Sequence, residues 1–459
     1  MEGILKFFTD ILNSINGVVW GPLMLVLLLG TGLFLTLGLR FLTFRRIPHG
    51  FVSLWKGRKH DSNAEGELSP FRALMTALSA TVGTGNIVGV ATAIFMGGPG
   101  ALFWMWCTAL LGMATKFSEV LLAVHFREVT PEGNVVGGPM YYIKNGLGKN
   151  WAWMGTLFAI FGSIAGFGIG NMTQTNSIAG AVQATFSIEP WITAICLTIV
   201  IGAVLVGGVK RIGAVAGSVV PFMAFFYVIA SLIVIFLKVD ILPQIFASIV
   251  HEAFTPQAAF GASIWMTIRF GVARGVFSNE AGLGSAPIAH ATATTKDPVK
   301  QALIGMLGTF IDTIIICSMT GFTILASGLI ANGPGDLQGA ALTTVAFNSV
   351  LDGVLGVGIG GVIVTISLIF FALTTVLGWC VYSERCMIYL FGDKILMPFR
   401  LVFTLVVPVG AMMKLDFVWL LSDTFNACMA IPNLIALLLL SPVVFAAVKE
   451  YCAKEKSLR

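Results

Sequence analysis

The stretch Met75–Gly98 reads MTALSATVGTGNIVGVATAIFMGG. It is long and apolar enough to cross a bilayer, for which about 20 residues suffice. Its centre, Val82-Gly83-Thr84-Gly85-Asn86, puts polar groups where a lipid-facing helix has none. Each of the two glycines weakens a helix by roughly 1 kcal/mol relative to alanine. We read this as a membrane helix that breaks in its middle and binds ligand at the break. Non-helical backbone at membrane depth persists only where it is packed in protein or lines a wet cavity. A break frees N–H groups at the start of one half-helix, which suit a carboxylate. It frees C=O groups at the end of the other, which suit a cation.

The rest of the chain is of the same solvent class. Of 459 residues, 57% are hydrophobic and 11% charged, against about 25% charged in soluble domains. Apolar runs recur at about 18–42, 69–97, 101–126, 151–184, 190–207, 212–237, 260–295, 299–331, 356–390, 396–413 and 417–447, eleven spans of an all-α membrane protein. Ser69 is the expected N-cap of the broken helix, with Pro70 at its first position. Phe103, Trp104 and Trp106 read as an interfacial aromatic set. The seven cysteines show no metal or redox spacing and read as apolar packers. The start of the chain lacks a signal-peptide pattern, and nothing suggests nucleic-acid binding.

Lysine and arginine sort by alternate connections. The loops at 43–67, 127–150, 208–212, 295–300 and 384–400, with the tail, hold nineteen of the 27. The other set holds Lys6, Lys238 and Lys414. Positive charge stays in the cytoplasm, so the expected topology is N-terminus outside and C-terminus inside, in a multi-pass plasma-membrane protein.

A second interruption, FGVARGVFSNEAGLGSAPIA, runs from Phe270 to Ala289. By the charge count it starts outside, whereas the first broken helix starts inside. Two interrupted helices at matching positions of oppositely oriented halves point to an inverted-repeat transporter with a site near the midplane. The halves are bounded at 68–238 and 239–447, after an extra helix and basic loop over 1–67 and before a basic tail over 448–459.

Other polar groups lie at membrane depth. Asn171 and Gln174 share a helical face; either they hydrogen-bond between helices or at least one meets a ligand. Gly166 and Gly170 permit close helix approach. The hydroxyls of Thr374 and Thr375 can ligate a hard cation or bond back to carbonyls one turn earlier. Trp379 either walls off an apolar side chain or packs. Charged groups here are functional candidates by default. Lys116 and Glu119 are expected to pair; Glu280 can bind a cation, carry a proton or hold the break; Arg269 and Arg274 can form a gate with acidic groups; and Asp312 is expected to have a structural partner.

Gly97-Gly98-Pro99-Gly100-Ala101-Leu102-Phe103-Trp104-Met105-Trp106, ending at Gly112, resembles the signature of the alanine/glycine:cation symporters. VGTGNIVG before it and FSNEAGLGSAP in the second break resemble the same family, over the full chain. Cys107 is a small departure, standing where an aliphatic residue is expected. The resemblance implies a LeuT-type fold of five plus five helices, with the first and sixth core helices broken and one helix added at the N-terminus. It implies sodium-coupled import of alanine or glycine, with no cofactor and no enzyme activity, by a monomer. It places Thr84 and Gly85 at the substrate carboxylate, with Asn86 a further substrate contact, and Phe277, Ser278 and Asn279, with Gly282 beside them, at the amino group and methyl. It completes that pocket with Asn171, Gln174 and Trp379. It builds a sodium site from carbonyls of Ser79 and Val82 with Thr374 and Thr375.

Three other classes are disfavoured. Gly83-Thr84-Gly85 followed by Gly89 is not a dinucleotide fingerprint. Two unlike breaks in one chain do not make a repeated channel filter. No HExxH or GxSxG occurs. The serious rival is a proton-coupled carrier using Glu280.

Overall fold

The computed structural model describes residues 2–59, 64–255, 263–330, 333, 335–413 and 415–457. Residues 260–262 of the second irregular stretch, and Lys414, lie outside the described residues, as does the side chain of Lys6.

The chain is almost wholly helical. It opens with α1 (Glu2–Val19), α2 (Pro22–Gly38), the short α3 (Leu42–Arg45) and α4 (Ile47–Lys56). The first broken helix follows as α5 (Pro70–Thr81), a π-turn over Gly85–Gly89, and α6 (Val90–Gly97). Its two parts are bent by 50°. Ser69 caps α5 as expected, its Oγ accepting from Arg72 N at 3.3 Å. Next come α7 (Gly100–His125), the hairpin β1 (Glu128–Val129) and β2 (Val135–Val136), and α8 (Pro139–Tyr142). Then α9 (Ala152–Phe167) passes through a π-turn at Gly168–Met172 into α10 (Thr173–Phe186). Next come α11 (Pro190–Leu205), α12 (Gly208–Leu237) and α13 (Leu242–Glu252).

The second break lies between α14 (Ile264–Asn279) and α15 (Ala286–Ala291). Then α16 (Pro298–Thr309) runs through a π-segment, Phe310–Cys317, into α17 (Ser318–Ala326). The chain ends with α18 (Gly339–Leu355), α19 (Ile359–Phe391), α20 (Leu396–Met412) and α21 (Leu415–Ser457). Among the described residues, seven helices are long and apolar enough to cross a membrane, or up to nine if each bent pair counts as one span. Two expectations change here. Residues 332–352, read as a connection, contain most of α18, and the tail from 448 continues α21 to Ser457. The signal for α18 was weak because Gly339, Thr343, Thr344 and Asp352 interrupt its apolar face.

Packing pairs the halves: α7 lies on α16, α9 on α19 and α11 on α20. In α9 and the π-turn after it, Gly162, Gly166 and Gly170 face Cys386, Ser383 and Trp379 of α19, leaving no room for a Cβ. Small residues spaced by four let two membrane helices touch backbone to side chain. The indoles of α7 are half-buried and hydrogen-bonded to neighbouring elements. Trp104 Nε1 donates to Ala253 O at 3.1 Å and Trp106 Nε1 to Ser318 Oγ at 2.9 Å.

At the end where the basic loops gather, the start of the first broken helix is joined to the end of the second. Leu68 and Ala293 form a parallel β-bridge. Thr294 N donates to Leu68 O (2.7 Å), and Glu67 N and Leu68 N donate to Thr292 O (2.7 and 3.0 Å). Arg127 ties the joint down by donating to the carbonyls of Glu65, Ala291, Ala293 and Thr295. Burial lowers the pKa of this guanidinium and the Glu65 carboxylate raises it in part; it stays charged. Glu67 Oε1 accepts from Arg385 Nη2 of α19 at 2.7 Å and from Val135 N at 2.9 Å.

Candidate functional site

In the first break, Val82 N closes the last α-helical bond to Leu78 O at 2.8 Å, and Val82 then takes an extended conformation. The Asn86 side chain folds back across the gap, its Oδ1 accepting from Gly83 N at 2.9 Å. Gln174 reaches in from α10; its Oε1 accepts from Thr84 N at 3.3 Å while its Nε2 donates to Ile169 O at 2.9 Å. The Thr84 hydroxyl is buried without a partner.

In the second break α14 ends at Glu280, whose φ of 55 is left-handed. Asn279 Oδ1 accepts from Ala281 N at 3.0 Å and its Nδ2 donates to Thr313 Oγ1 at 3.2 Å. The freed peptides are met from α7 and α21. Glu119 Oε1 accepts from Gly282 N and Gly284 N, each at 3.1 Å, and from Asn433 Nδ2 at 2.7 Å. Asn433 Nδ2 also donates to Gly282 O at 2.9 Å, and Tyr142 OH donates to Asn433 Oδ1. Lys116 Nζ donates to Glu280 O at 3.1 Å and Ser285 Oγ to Glu280 Oε2 at 2.6 Å.

Lys116 and Glu119 were expected to pair; each serves the backbone of the second break instead. Unwound peptides in a buried setting need partners more than two side chains need each other. Glu119→Ala leaves the Gly282 and Gly284 N–H groups unpaired, at about 1–3 kcal/mol each, and takes one of two acceptors from Asn433 Nδ2. A clear fall in the thermal unfolding midpoint in detergent is the expected result, with Glu119→Gln recovering most of it. An unchanged midpoint in Glu119→Ala would refute the bracing role.

The two breaks touch. A Cβ on Gly85 would lie 3.0 Å from Ser278 Cα and 3.2 Å from Phe277 Cδ1. Asp312, fully buried in the π-segment after α16, joins them. Its Oδ1 accepts from Asn86 Nδ2 at 2.7 Å, and its Oδ2 accepts from Ser278 Oγ at 2.9 Å and Thr313 Oγ1 at 2.8 Å. Cys317 Sγ sits beneath the same junction, 3.3 Å from Asn86 Nδ2 and 3.2 Å from Ser278 Oγ. Asp312 was expected to have a structural partner in preference to a transport role; it has three, and two of them lie one on each interruption. A carboxylate in an apolar span was the signal, but its partners come from three separate elements.

From the other side, α19 presents oxygens. Thr375 Oγ1 lies 3.4 Å from Val82 O while donating to Phe371 O at 2.9 Å. Thr374 Oγ1 donates to Phe371 O at 3.1 Å. Both hydroxyls thus bond back to the carbonyl of Phe371, and that of Thr375 also faces Val82 O. Gly378 faces Ser79, so closely that a Cβ would lie 2.6 Å from Ser79 Oγ. Trp379 packs on Gly170 and against Tyr382, with ring centroids 5.5 Å apart. Asn171 and Gly282 lie off the junction. Asn171 Nδ2 donates to Phe403 O of α20 at 2.7 Å, and the Gly282 peptide is held by Glu119 and Asn433.

Arg274 forms a two-bond pair with Asp423 of α21, at 2.9 and 3.3 Å. Below it Phe277 and Trp419 stack with centroids 5.0 Å apart. A cavity of about 480 Å³ opens beside Arg274, Trp419, Asn176 and Gln338. Arg269 lies over Phe270 instead.

This arrangement is similar to known transporters. A solved structure of MhsT in complex with L-phenylalanine superposes with a TM-score of 0.51 at 14% identity, covering 83% of this chain and 99% of that one. A manganese transporter of Eremococcus coleocola superposes with a TM-score of 0.53 at 12% identity, covering 80% and 78%. These likenesses carry the fold, which is LeuT-type. The sodium/alanine symporter AgcS of Methanococcus maripaludis is 50% identical over 97% of both chains. The amino-acid carrier protein AlsT of Bacillus subtilis is 36% identical over 98% of this chain and 94% of its own. The family model for sodium:alanine symporters matches residues 5–459. With that match spanning both interruptions and every helix between them, the chain belongs to the sodium:alanine symporter family.

Proposed function

We propose that the protein imports alanine, and glycine with it, by sodium-driven symport with alternating access. The observation that carries the mechanism is the approach of the Thr375 hydroxyl to the Val82 carbonyl at the point where the first helix unwinds. Sodium, as cargo, would take oxygens from Ser79, Val82, Thr374 and Thr375. Thr84 and Gly85 would receive the carboxylate, Gln174 holding the Thr84 amide in place until it arrives. Phe277 and Ser278 would bound the amino group and methyl, in a pocket too cramped for leucine. Ion binding would hold the first break in its receptive shape and lower the ordering cost for the amino acid; by linkage the amino acid tightens sodium equally.

The Arg274–Asp423 pair over the Phe277–Trp419 stack would serve as the outer gate, and the Glu67–Arg385 pair as part of the inner one. The eleven spans would be α2, α5/α6, α7, α9/α10, α11, α12, α14/α15, α16/α17, α19, α20 and α21. They would form inverted halves over 68–238 and 239–447, with the N-terminus outside, in a monomer in the plasma membrane. The pairing of α7 with α16, α9 with α19 and α11 with α20 supports that symmetry. Glu280 is engaged by Ser285, and its carbonyl by Lys116, which favours its holding the break over its carrying a proton.

Radiolabelled alanine uptake into proteoliposomes tests this at clamped pH. Uptake should collapse when potassium replaces sodium; persistence would favour the proton. Thr375→Val should raise both the sodium requirement and the alanine half-saturation at fixed sodium, by about tenfold for one lost cation ligand of about 1.4 kcal/mol. Unchanged sodium dependence in that variant would remove Thr375 from the site.

A further inference from the structure

We propose that the groove between the ends of α2 and α21 binds an anionic phospholipid of the cytoplasmic leaflet. The groove encloses about 520 Å³. Leu39, Phe445 and Val448 form its apolar wall, and Arg40, Arg45 and Lys449 its polar mouth. All three cations are exposed, and none pairs with a carboxylate among the described residues. Their neighbours differ: Arg46 is taken by Glu455, and Lys454 by Glu450. Three unneutralised charges converge on one apolar slot, which fits a phosphate headgroup carrying acyl chains.

The slot is built rather than incidental. The chain leaves α2 through two successive left-handed residues, Arg40 and Phe41, with φ of 52 and 57. Left-handed backbone is costly for side-chain-bearing residues and persists only where its surroundings hold it. Here Arg45 Nη2 donates to Arg40 O at 2.5 Å, fixing the two guanidinium-bearing residues side by side. The walls are fastened at both ends. Gly38 lies so close to Phe445 that no Cβ fits, and the Arg46–Glu455 pair ties α21 to the start of α4. Phe34 and Leu37 on α2, with Phe41 just beyond its end, leave exposed apolar surface beside the mouth, at 45%, 53% and 50% exposure. Acyl chains would lie along it. The mouth is on the side to which the lysine and arginine asymmetry assigns the cytoplasm, where anionic lipid concentrates.

Native mass spectrometry of the full chain in detergent, titrated with phosphatidylglycerol or with phosphatidylcholine of the same acyl chains, tests the site. The wild type should retain phosphatidylglycerol preferentially. The triple variant Arg40→Gln, Arg45→Gln, Lys449→Gln should lose at least about tenfold in that retention, since each basic residue near a membrane surface contributes severalfold. A control triple, Lys210→Gln, Lys300→Gln, Lys454→Gln, removes the same charge from the same face and should retain the lipid. Equal losses in both triples, or equal retention of both lipids by the wild type, would overturn the proposal. A dimer that only the first triple abolishes would also overturn it, assigning the groove to a second copy. The variants alter exposed side chains, and a melting curve checks that each is folded.

Discussion

Sodium-driven alanine uptake should fall by about a hundredfold or more in Asp312→Ala. The carboxylate accepts from Asn86 on one interruption and from Ser278 on the other, with Thr313 as a third donor. Removing it takes the carboxylate acceptor from three buried donors at about 1–3 kcal/mol each, Asn86 Nδ2 keeping only the weaker contacts to Asp312 O at 3.2 Å and Cys317 Sγ at 3.3 Å, so the assembled geometry loses several kcal/mol to any arrangement in which the breaks separate. Each 1.4 kcal/mol is a factor of ten in occupancy. Asp312→Asn keeps the shape but turns an amide toward a donor, and it should show a smaller but still large loss. The check is initial uptake rate normalised to reconstituted protein, with a thermal melt alongside. Uptake within a factor of two of wild type in Asp312→Ala would show that the breaks do not depend on this contact.

Gly85→Val should be nearly as damaging, for a steric reason. The first methylene of any side chain there would already press on Ser278 Cα at 3.0 Å and Phe277 Cδ1 at 3.2 Å, and valine adds two more carbons. Overpacking a close-packed contact costs about 1–3 kcal/mol, and here the strain falls on the relative position of the two half-helix ends. Loss of alanine binding, measured by scintillation proximity at saturating sodium, is the expected result. Gly89→Ala is the matched control, because nothing lies within 4 Å of its added carbon. If Gly85→Val binds alanine normally, the two interruptions do not meet in the binding-competent state.

The sequence was most informative where it broke its own rules. Gly83, Gly85 and Asn86 at bilayer depth, and Gly282, Gly284 and Pro287 after a buried Asn279-Glu280, mark places where a membrane helix cannot run on. Both interruptions stand where those residues put them. What one sequence does not carry is partner choice. Asn171 and Gln174 share a face and a chemistry, yet one reaches the break and the other bonds Phe403 O across to α20. The π-turn at Gly168–Met172 just before Gln174 shifts that face, and nothing in a 3.6-residue period announces it. The role of Asn433 was hidden in the same way. It lies in an apolar helix far along the chain from Glu119 and Gly282, and only the packing of α21 on the core brings them together.

The β-bridge between Leu68 and Ala293 has a mechanical consequence. Hydrogen bonds from Thr294 N, Glu67 N and Leu68 N fasten the start of the first broken helix to the end of the second, so neither leaf of this door can swing while its twin stays shut. Any opening at this end therefore moves both half-helices together or first tears that backbone pairing.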